Sequence, residues 1–343
     1  MPSFRNDLGN GNAMDNGAPL RFDEFMANAL YGEDGFYTSG GEAGRRGDFI
    51  TSPEVGPLFG AVLANWIQSE FIRLGEPADF IIVEAGAGPG TLARSILLAA
   101  PQWTGRYVTV EISGAQRAKH PEGVSSQPSL PTTPFRGVVI ANELLDNLPF
   151  RLAVYDGGWR ESMVVIAADG TATEVLVPAP AEWHWLPTSA PHGARVPVQQ
   201  LAGQWVRDAR SLLVDGTVLA CDYCTATTWQ LANRPWREWM RTYRAHDRGI
   251  HYLSDVGSQD ITAQVCLDQL PQSASVRPQA QFLQRWGIEE LVEEGKAAWT
   301  AAAGAPNLAA LRMRSRIREA ESLLDLSGLG SFTFLEWPAQ TNP

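Results

Sequence analysis

The chain has 343 residues, 44% of them hydrophobic, and a formal net charge of −11. That length accommodates one large domain with insertions or two domains, with apolar residues enough for a substantial core. The acidic balance argues against a general nucleic-acid partner, whose binders carry a basic face, and no run reaches the roughly 18 apolar residues a membrane helix requires.

The first 19 residues are rich in Asn and Gly and are expected to be disordered; they resemble neither a secretory signal nor a transit peptide. The three cysteines, Cys221, Cys224 and Cys266, are too few for a disulfide framework. Cys221-x-x-Cys224 lacks a second ligand pair and lies in an apolar run, so buried thiols are expected. A cytoplasmic location is the default expectation. The five histidines and the scattered acids show no metal-ligand spacing, and no metal is expected.

From Leu20, the spacing of Phe22, Phe25, Met26, Ala29 and Leu30 predicts a helix that breaks at Gly32. A long glycine-rich loop with interspersed aromatics follows. Ser52-Pro53 reads as a helix start, the Ser52 hydroxyl capping and the proline at the first helical position. Val55, Leu58, Phe59, Val62, Leu63, Trp66 and Ile67 continue a buried stripe.

Phe80 to Ala85 is a buried-strand run closed by Gly86, Gly88 and Gly90, and Thr91 to Leu98 fits the helix that crosses back over a sheet. Glycines are needed where the backbone turns at positive φ and a ligand approaches without a Cβ in the way. The spacing is G-x-G-x-G after Glu84, not the G-x-G-x-x-G of a pyrophosphate site. S-adenosylmethionine has no pyrophosphate, and its ammonium and sulfonium suit an acid at the strand end. Arg106 to Glu111 reads as the next strand, with Glu111 placed to accept from both ribose hydroxyls. A bare strand-to-helix turn is the alternative.

A Pro/Ser-rich loop from Pro121 to Pro134 leads to a third strand, Gly137 to Glu143. Glu84, Glu111 and Asn142-Glu143 then converge at the carboxyl ends of a doubly wound sheet, where ligands bind. The fold class is therefore α/β, a Rossmann-like sheet. Short alternating runs with Asp-Gly turns between Arg151 and Pro187 predict antiparallel hairpins. A helix from Val198 to Leu213, a strand ending at Asp222, a loop-rich stretch from Trp229 to Ser258, a largely helical remainder and a terminal strand from Ser331 to Trp337 complete the reading. Residues 20–78 form an N-terminal unit and 79–343 the core, with insertions at about 151–195 and 229–300. Arg312, Arg314, Arg316 and Arg318 read as a solvated helix face.

Four blocks resemble the MidA-like, or DUF185, methyltransferases, related to the mitochondrial complex I assembly arginine methyltransferase: Arg46 to Glu54, Glu84 to Gly90, Ala141 to Pro149, and Asp222-Tyr223 with Asp260 to Ala263. The resemblance implies a class I methyltransferase core and an N-terminal segment covering S-adenosyl-L-methionine. Arg46 would pair with the cofactor's carboxylate, and Gly47, Asp48 and Thr51 would line its pocket; a loop tied down by its own salt bridge is the alternative. Asp222-Tyr223 is followed here by Cys224, where relatives often carry glycine.

If arginine is the acceptor, its protonated guanidinium must be held and localised. Glu143 could clamp two of its N–H groups and Asp146 could supply a second carboxylate, while Asn142 orients the loop or contacts the cofactor. A helix-start carboxylate is the bland alternative for Glu143. The implied partner is a protein substrate, with a homodimer left open. Methylation of a small molecule or another residue type, and a non-catalytic assembly chaperone that binds the cofactor, stand as alternatives.

Overall fold

The computed structural model describes residues 17–39, 51–244, 247–305 and 307–340. Arg46, Gly47 and Asp48 lie outside them. Seven strands, β1 (Phe80–Ala85), β2 (Tyr107–Val110), β3 (Ser125–Gln127), β4 (Phe135–Asn142), β5 (Leu213–Asp222), β6 (Ser275–Pro278) and β7 (Thr333–Pro338), form the central sheet. Their spatial order is β6-β7-β5-β4-β1-β2-β3. β7 runs antiparallel to both its neighbours, and the remaining pairs are parallel. The chain winds outward from β1 through β2 to β3, then restarts on the other side with β4, which makes the β1/β4 boundary the topological switch point.

The apolar strands are covered on both faces, as parallel strands must be. Successive residues point to opposite sides: Ile82, Val138, Leu219 and Phe334 face one core with Phe59, Trp66 and Ile96, whereas Val83, Val139, Ala220 and Leu335 face another with Trp205 and Val206. Burying each large apolar side chain contributes about 1.5–3 kcal/mol, which fixes the register of the sheet and the positions of its carboxyl ends.

A second antiparallel sheet sits beside this core. Leu20–Arg21, Trp159–Ile166, Arg151–Tyr155 and Arg195–Val198 pair in that order, and Ala172–Pro178 pairs with Trp159–Ile166. Helix Phe22–Tyr31 buries Phe22, Phe25, Met26 and Leu30 together with Leu152, Val164 and Val196 from this sheet. The Phe22 ring meets Phe150 and Tyr252 at 5.4 and 5.3 Å between centroids. This packing delivers Tyr31, the last residue of the helix, to the rim of the central sheet.

Several sequence expectations are corrected. The helix after Ser52 is interrupted: Ser52–Val55 is one short turn, and Pro57–Arg73 begins anew beyond Gly56. A residue before proline disfavours helical backbone, and the Glu319 carboxylate occupies the space a Cβ at Gly56 would need while accepting from the Leu58 N–H at 2.9 Å. Thr51, not Ser52, is the N-cap residue, and the Ser52 hydroxyl donates to Gln279 Oε1 at 2.8 Å. The stretch read as loop and helix after Trp229 contains a small antiparallel sheet of Met240–Arg244, Asp247–Arg248 and Asp260–Ala263. Of the arginines of Leu308–Leu324, Arg312, Arg314 and Arg318 are exposed, as expected of a solvated face, and Arg314 also stacks 4.8 Å over Trp299; Arg316 alone departs, partly buried and donating to the Leu291 carbonyl at 2.6 Å. Cys221 and Cys266 are buried and Cys224 is partly so, all three as free thiols. No helix among the described residues is long and apolar enough to cross a membrane, and no group of three potential ligands among them could hold a metal.

Candidate active site

The glycine loop leaves β1 with Gly86, Gly88 and Gly90 at φ of 68°, 51° and 78°. At Gly88 both ends of the residue are held. Its N–H donates to Glu111 Oε2 at 3.0 Å, and its carbonyl accepts from His120 Nε2 at 2.9 Å. A Cβ at Gly88 would meet nothing within 4 Å, so its absence leaves an open approach to the backbone. Glu111, just past β2, also accepts from the Ser113 N–H at 2.8 Å through Oε1; burial raises its pKa against the pull of these donors. Glu84 is buried beneath the loop and accepts from the Tyr107 hydroxyl at 2.7 Å. Burial pushes its pKa up to about 7.

Past β4 the chain turns sharply. Glu143 takes left-handed backbone, φ 49°, its N–H fixed to the Cys221 carbonyl at 2.8 Å. A non-glycine residue there costs about 1–2 kcal/mol, and strain of this kind gathers at functional sites. Asn142 Nδ2 donates to Glu143 Oε1 at 3.1 Å, and the Ser52 N–H also donates to the Glu143 carboxyl. Burial first, and then the Asp146 charge, push Glu143 up to about 8. Asn142 Oδ1 is buried with no partner among the described residues. Open backbone at Gly88, the Glu111 carboxylate and this unsatisfied acceptor suit a nucleoside ligand rich in hydroxyl and ammonium donors, so the residues present fit S-adenosyl-L-methionine.

Asp146 belongs to the 3-10 turn Leu145–Asn147. The turn is pinned by Asp222, the last residue of β5, whose Oδ2 accepts the N–H groups of Leu145 and Asp146 at 3.0 and 3.3 Å. Asp146 Oδ2 accepts from the Tyr223 hydroxyl, which also bonds Thr262. Asn147 Nδ2 donates to Asp260 Oδ1 at 2.9 Å, and its carbonyl accepts from Tyr31 at 3.2 Å. Tyr37 stacks on Tyr31 with centroids 5.6 Å apart and donates to Asn147 Oδ1 at 3.3 Å. Asp146, Asp222 and Asp260 are all buried. Burial raises all three pKa values, Asp146 to about 6 and Asp260 to about 8, the latter also through the Asp146 charge.

The structure thus brings Glu84, Gly86, Gly88, Gly90, Glu111, Asn142, Glu143 and Asp146 to the carboxyl-end rim of the sheet, and Thr51 to the turn whose next residue donates to Glu143. Sequence reasoning did not assign His120, Tyr31, Tyr37, Asp222, Tyr223, Asp260 or Thr262 to the site. Asp222-Tyr223 and Asp260 to Thr262 did stand out as blocks of resemblance; His120 carries no local motif.

Residues 62–284 match a family model described as "Putative S-adenosyl-L-methionine-dependent methyltransferase". A Burkholderia thailandensis protein solved with S-adenosyl-homocysteine superposes with a TM-score of 0.79 at 26% identity, over 94% of this chain and 88% of that one. Among curated proteins, the Drosophila melanogaster mitochondrial protein arginine methyltransferase NDUFAF7 homolog is 30% identical over 190 residues, which is 46% of this chain and 44% of the relative. The human protein arginine methyltransferase NDUFAF7 is 40% identical over 80 residues, 23% of this chain and 18% of its own. The matched regions span less than half the length of these curated relatives. With the family match covering more than half of the chain, and with its class I fold, the chain belongs to the MidA-like family of S-adenosyl-L-methionine-dependent methyltransferases.

Proposed function

We propose that the methyl acceptor is an arginine side chain of a protein partner. The observation that carries this reading is a set of carboxyl groups with raised pKa values gathered on one rim, Asp146 and Asp260 buried and Glu143 partly buried. Carboxyl groups desolvated to this degree favour a cationic guest, because a positive charge among them recovers the Coulomb energy that burial withholds from the ionised forms. The names of the Drosophila and human relatives support the same acceptor.

A guanidinium stays protonated at any ordinary pH, and its nitrogens are poor nucleophiles while the charge is delocalised. Carboxylates that hold two of its N–H groups localise the charge and leave one nitrogen free for in-line attack. When bound, the cofactor supplies the electrophilic methyl group. Glu143 would orient the attacking nitrogen and accept the proton that nitrogen sheds, so the product guanidinium keeps a single positive charge. Asn142 and the Ser52 N–H hold the Glu143 carboxyl in place, and Tyr223 holds Asp146. Tyr31 and Tyr37 hold Asn147 from the other side through its carbonyl and Oδ1.

Incubation with methyl-labelled cofactor and host extract, followed by mass spectrometry of the labelled proteins, tests the reading. Methylarginine in a discrete protein is the expected product. Label confined to small molecules or to other residue types would overturn it.

A further inference from the structure

We propose that Asp260 is a third carboxylate of the acceptor pocket, and that Asp260 and Asp146 together grip the guanidinium while Glu143 serves the reacting nitrogen; this rests on the arginine reading above. Asp146 Oδ1 and Asp260 Oδ2 are both buried and, among the described residues, neither receives a hydrogen bond of good geometry, although the Tyr37 hydroxyl lies near enough to Asp260, and the Asn147 N–H and Thr262 near enough to Asp146, to lower their pKa values. The other oxygen of each is occupied, Asp146 Oδ2 by the Tyr223 hydroxyl and Asp260 Oδ1 by the Asn147 amide. Each carboxyl is therefore anchored on one side and open on the other. Buried acceptors without donors are costly and uncommon in native proteins, so two on neighbouring, electrostatically coupled carboxyls point to donors that arrive with a ligand.

The scaffolding supports that use. Asp222 pins the turn that carries Asp146 through two backbone N–H groups. The strand Asp260–Ala263 is tied to that turn by Asn147, and to Tyr223 by Thr262. Both carboxyls are held by packed, hydrogen-bonded elements, which preorganises their spacing. A guanidinium presents five N–H donors in one rigid plane and can span two carboxylates, whereas an ammonium is a compact point donor. The pair therefore selects arginine over lysine.

The probe is ethylguanidinium, titrated by calorimetry into the full chain saturated with S-adenosyl-homocysteine, with ethylammonium as comparison. Asp260→Asn keeps the shape and can still accept from Asn147 at one oxygen, so it removes charge without removing the scaffold; undiminished thermal melting and unchanged cofactor affinity verify this. The variant should bind ethylguanidinium about tenfold to a hundredfold more weakly, the range that one hydrogen bond to a charged group is worth. Asp146→Asn carries the same expectation through its own open oxygen and serves if Asp260→Asn does not fold. Ethylammonium should bind wild type much more weakly than ethylguanidinium. Equal ethylguanidinium affinity in wild type and the folded variant overturns the role of Asp260 while leaving methylarginine formation intact. Wild-type enzyme that neither binds ethylguanidinium nor labels arginine overturns both.

Discussion

His120 Nε2 lies 2.9 Å from the carbonyl oxygen of Gly88, and the other ring nitrogen meets the hydroxyls of Thr109 and Ser126 at 2.8 and 2.9 Å. A carbonyl only accepts, so Nε2 carries the proton and Nδ1 is left as the acceptor for one of the two hydroxyls at a time, a tautomer assigned by its partners. Burial holds the imidazole pKa below its ordinary value, helped by Arg94 and Arg117 nearby, so the ring stays neutral. His120 and Glu111 therefore hold opposite ends of Gly88. His120→Ala should weaken S-adenosyl-homocysteine binding about tenfold, since the lost hydrogen bonds are worth about 0.5–1.5 kcal/mol each. Calorimetry on the folded variant checks this, and unchanged affinity would remove His120 from the cofactor loop's support.

Glu143→Gln should leave cofactor affinity nearly intact and lower methyl transfer about a hundredfold or more, because the amide neither localises the guanidinium charge nor accepts its proton. Stability should not suffer. Burial pushes the Glu143 carboxyl up to about 8, so at pH 7 the ligand-free protein holds it mostly uncharged, and it ionises to take up its catalytic role only when the cationic acceptor is bound. Single-turnover rates with labelled cofactor decide the matter, and equal turnover in the variant would remove Glu143 from the chemistry.

Much of this site was legible because its signals are local. The strand from Phe80, the glycines at 86, 88 and 90, and the polar ends of the strands through Glu111 and Asn142 each announce themselves within a few residues. The acceptor side is not local. Asp260 stands 113 residues from Asn147, to which it bonds, and its strand forms only by pairing with Met240–Arg244 in a stretch whose scattered aromatics and glycines carry no clear period. The break at Gly56 depends on Glu319, 261 residues beyond Leu58. His120 joins the loop through side-chain contacts that follow no spacing rule. Pattern reading finds elements whose partners lie in the same turn or strand; it misses those that tertiary contacts select.

Gly137 and Gly216 lie in adjacent strands, each against a neighbour's backbone. A Cβ on Gly137 would sit 1.8 Å from the Ile81 carbonyl oxygen, and one on Gly216 would sit 1.7 Å from the Gly137 carbonyl oxygen. Backbone in β1, β4 and β5 cannot yield without moving the rim. Gly137→Ala and Gly216→Ala should each cost more than about 4 kcal/mol, among the larger single-residue losses, and leave little soluble protein. Gly158→Ala, where a Cβ meets nothing within 4 Å, should change the urea midpoint very little. A well-folded Gly137→Ala protein would contradict the close strand approach.

The carboxyl cluster should also shape stability against pH in the ligand-free protein. An acid whose folded pKa lies above its unfolded value near 4 binds a proton in the folded state over the interval between them, so stability falls as pH rises through that interval. Glu143 and Asp260 are each pushed up to about 8, chiefly by burial, and Asp146 to about 6. Stability should therefore decline from about pH 5 toward pH 8, with a slope of at most about 1.4 kcal/mol per pH unit for each group. Asp260 also raises Glu143, and Asp146 raises both, so their contributions are not additive. Urea midpoints across that range check the slope. Glu143→Gln and Asp260→Asn should each flatten it, because an amide has no proton to lose. An unchanged slope in both variants would mean that these acids already ionise freely in the folded chain, and the electrostatic case for a cationic acceptor would go with it.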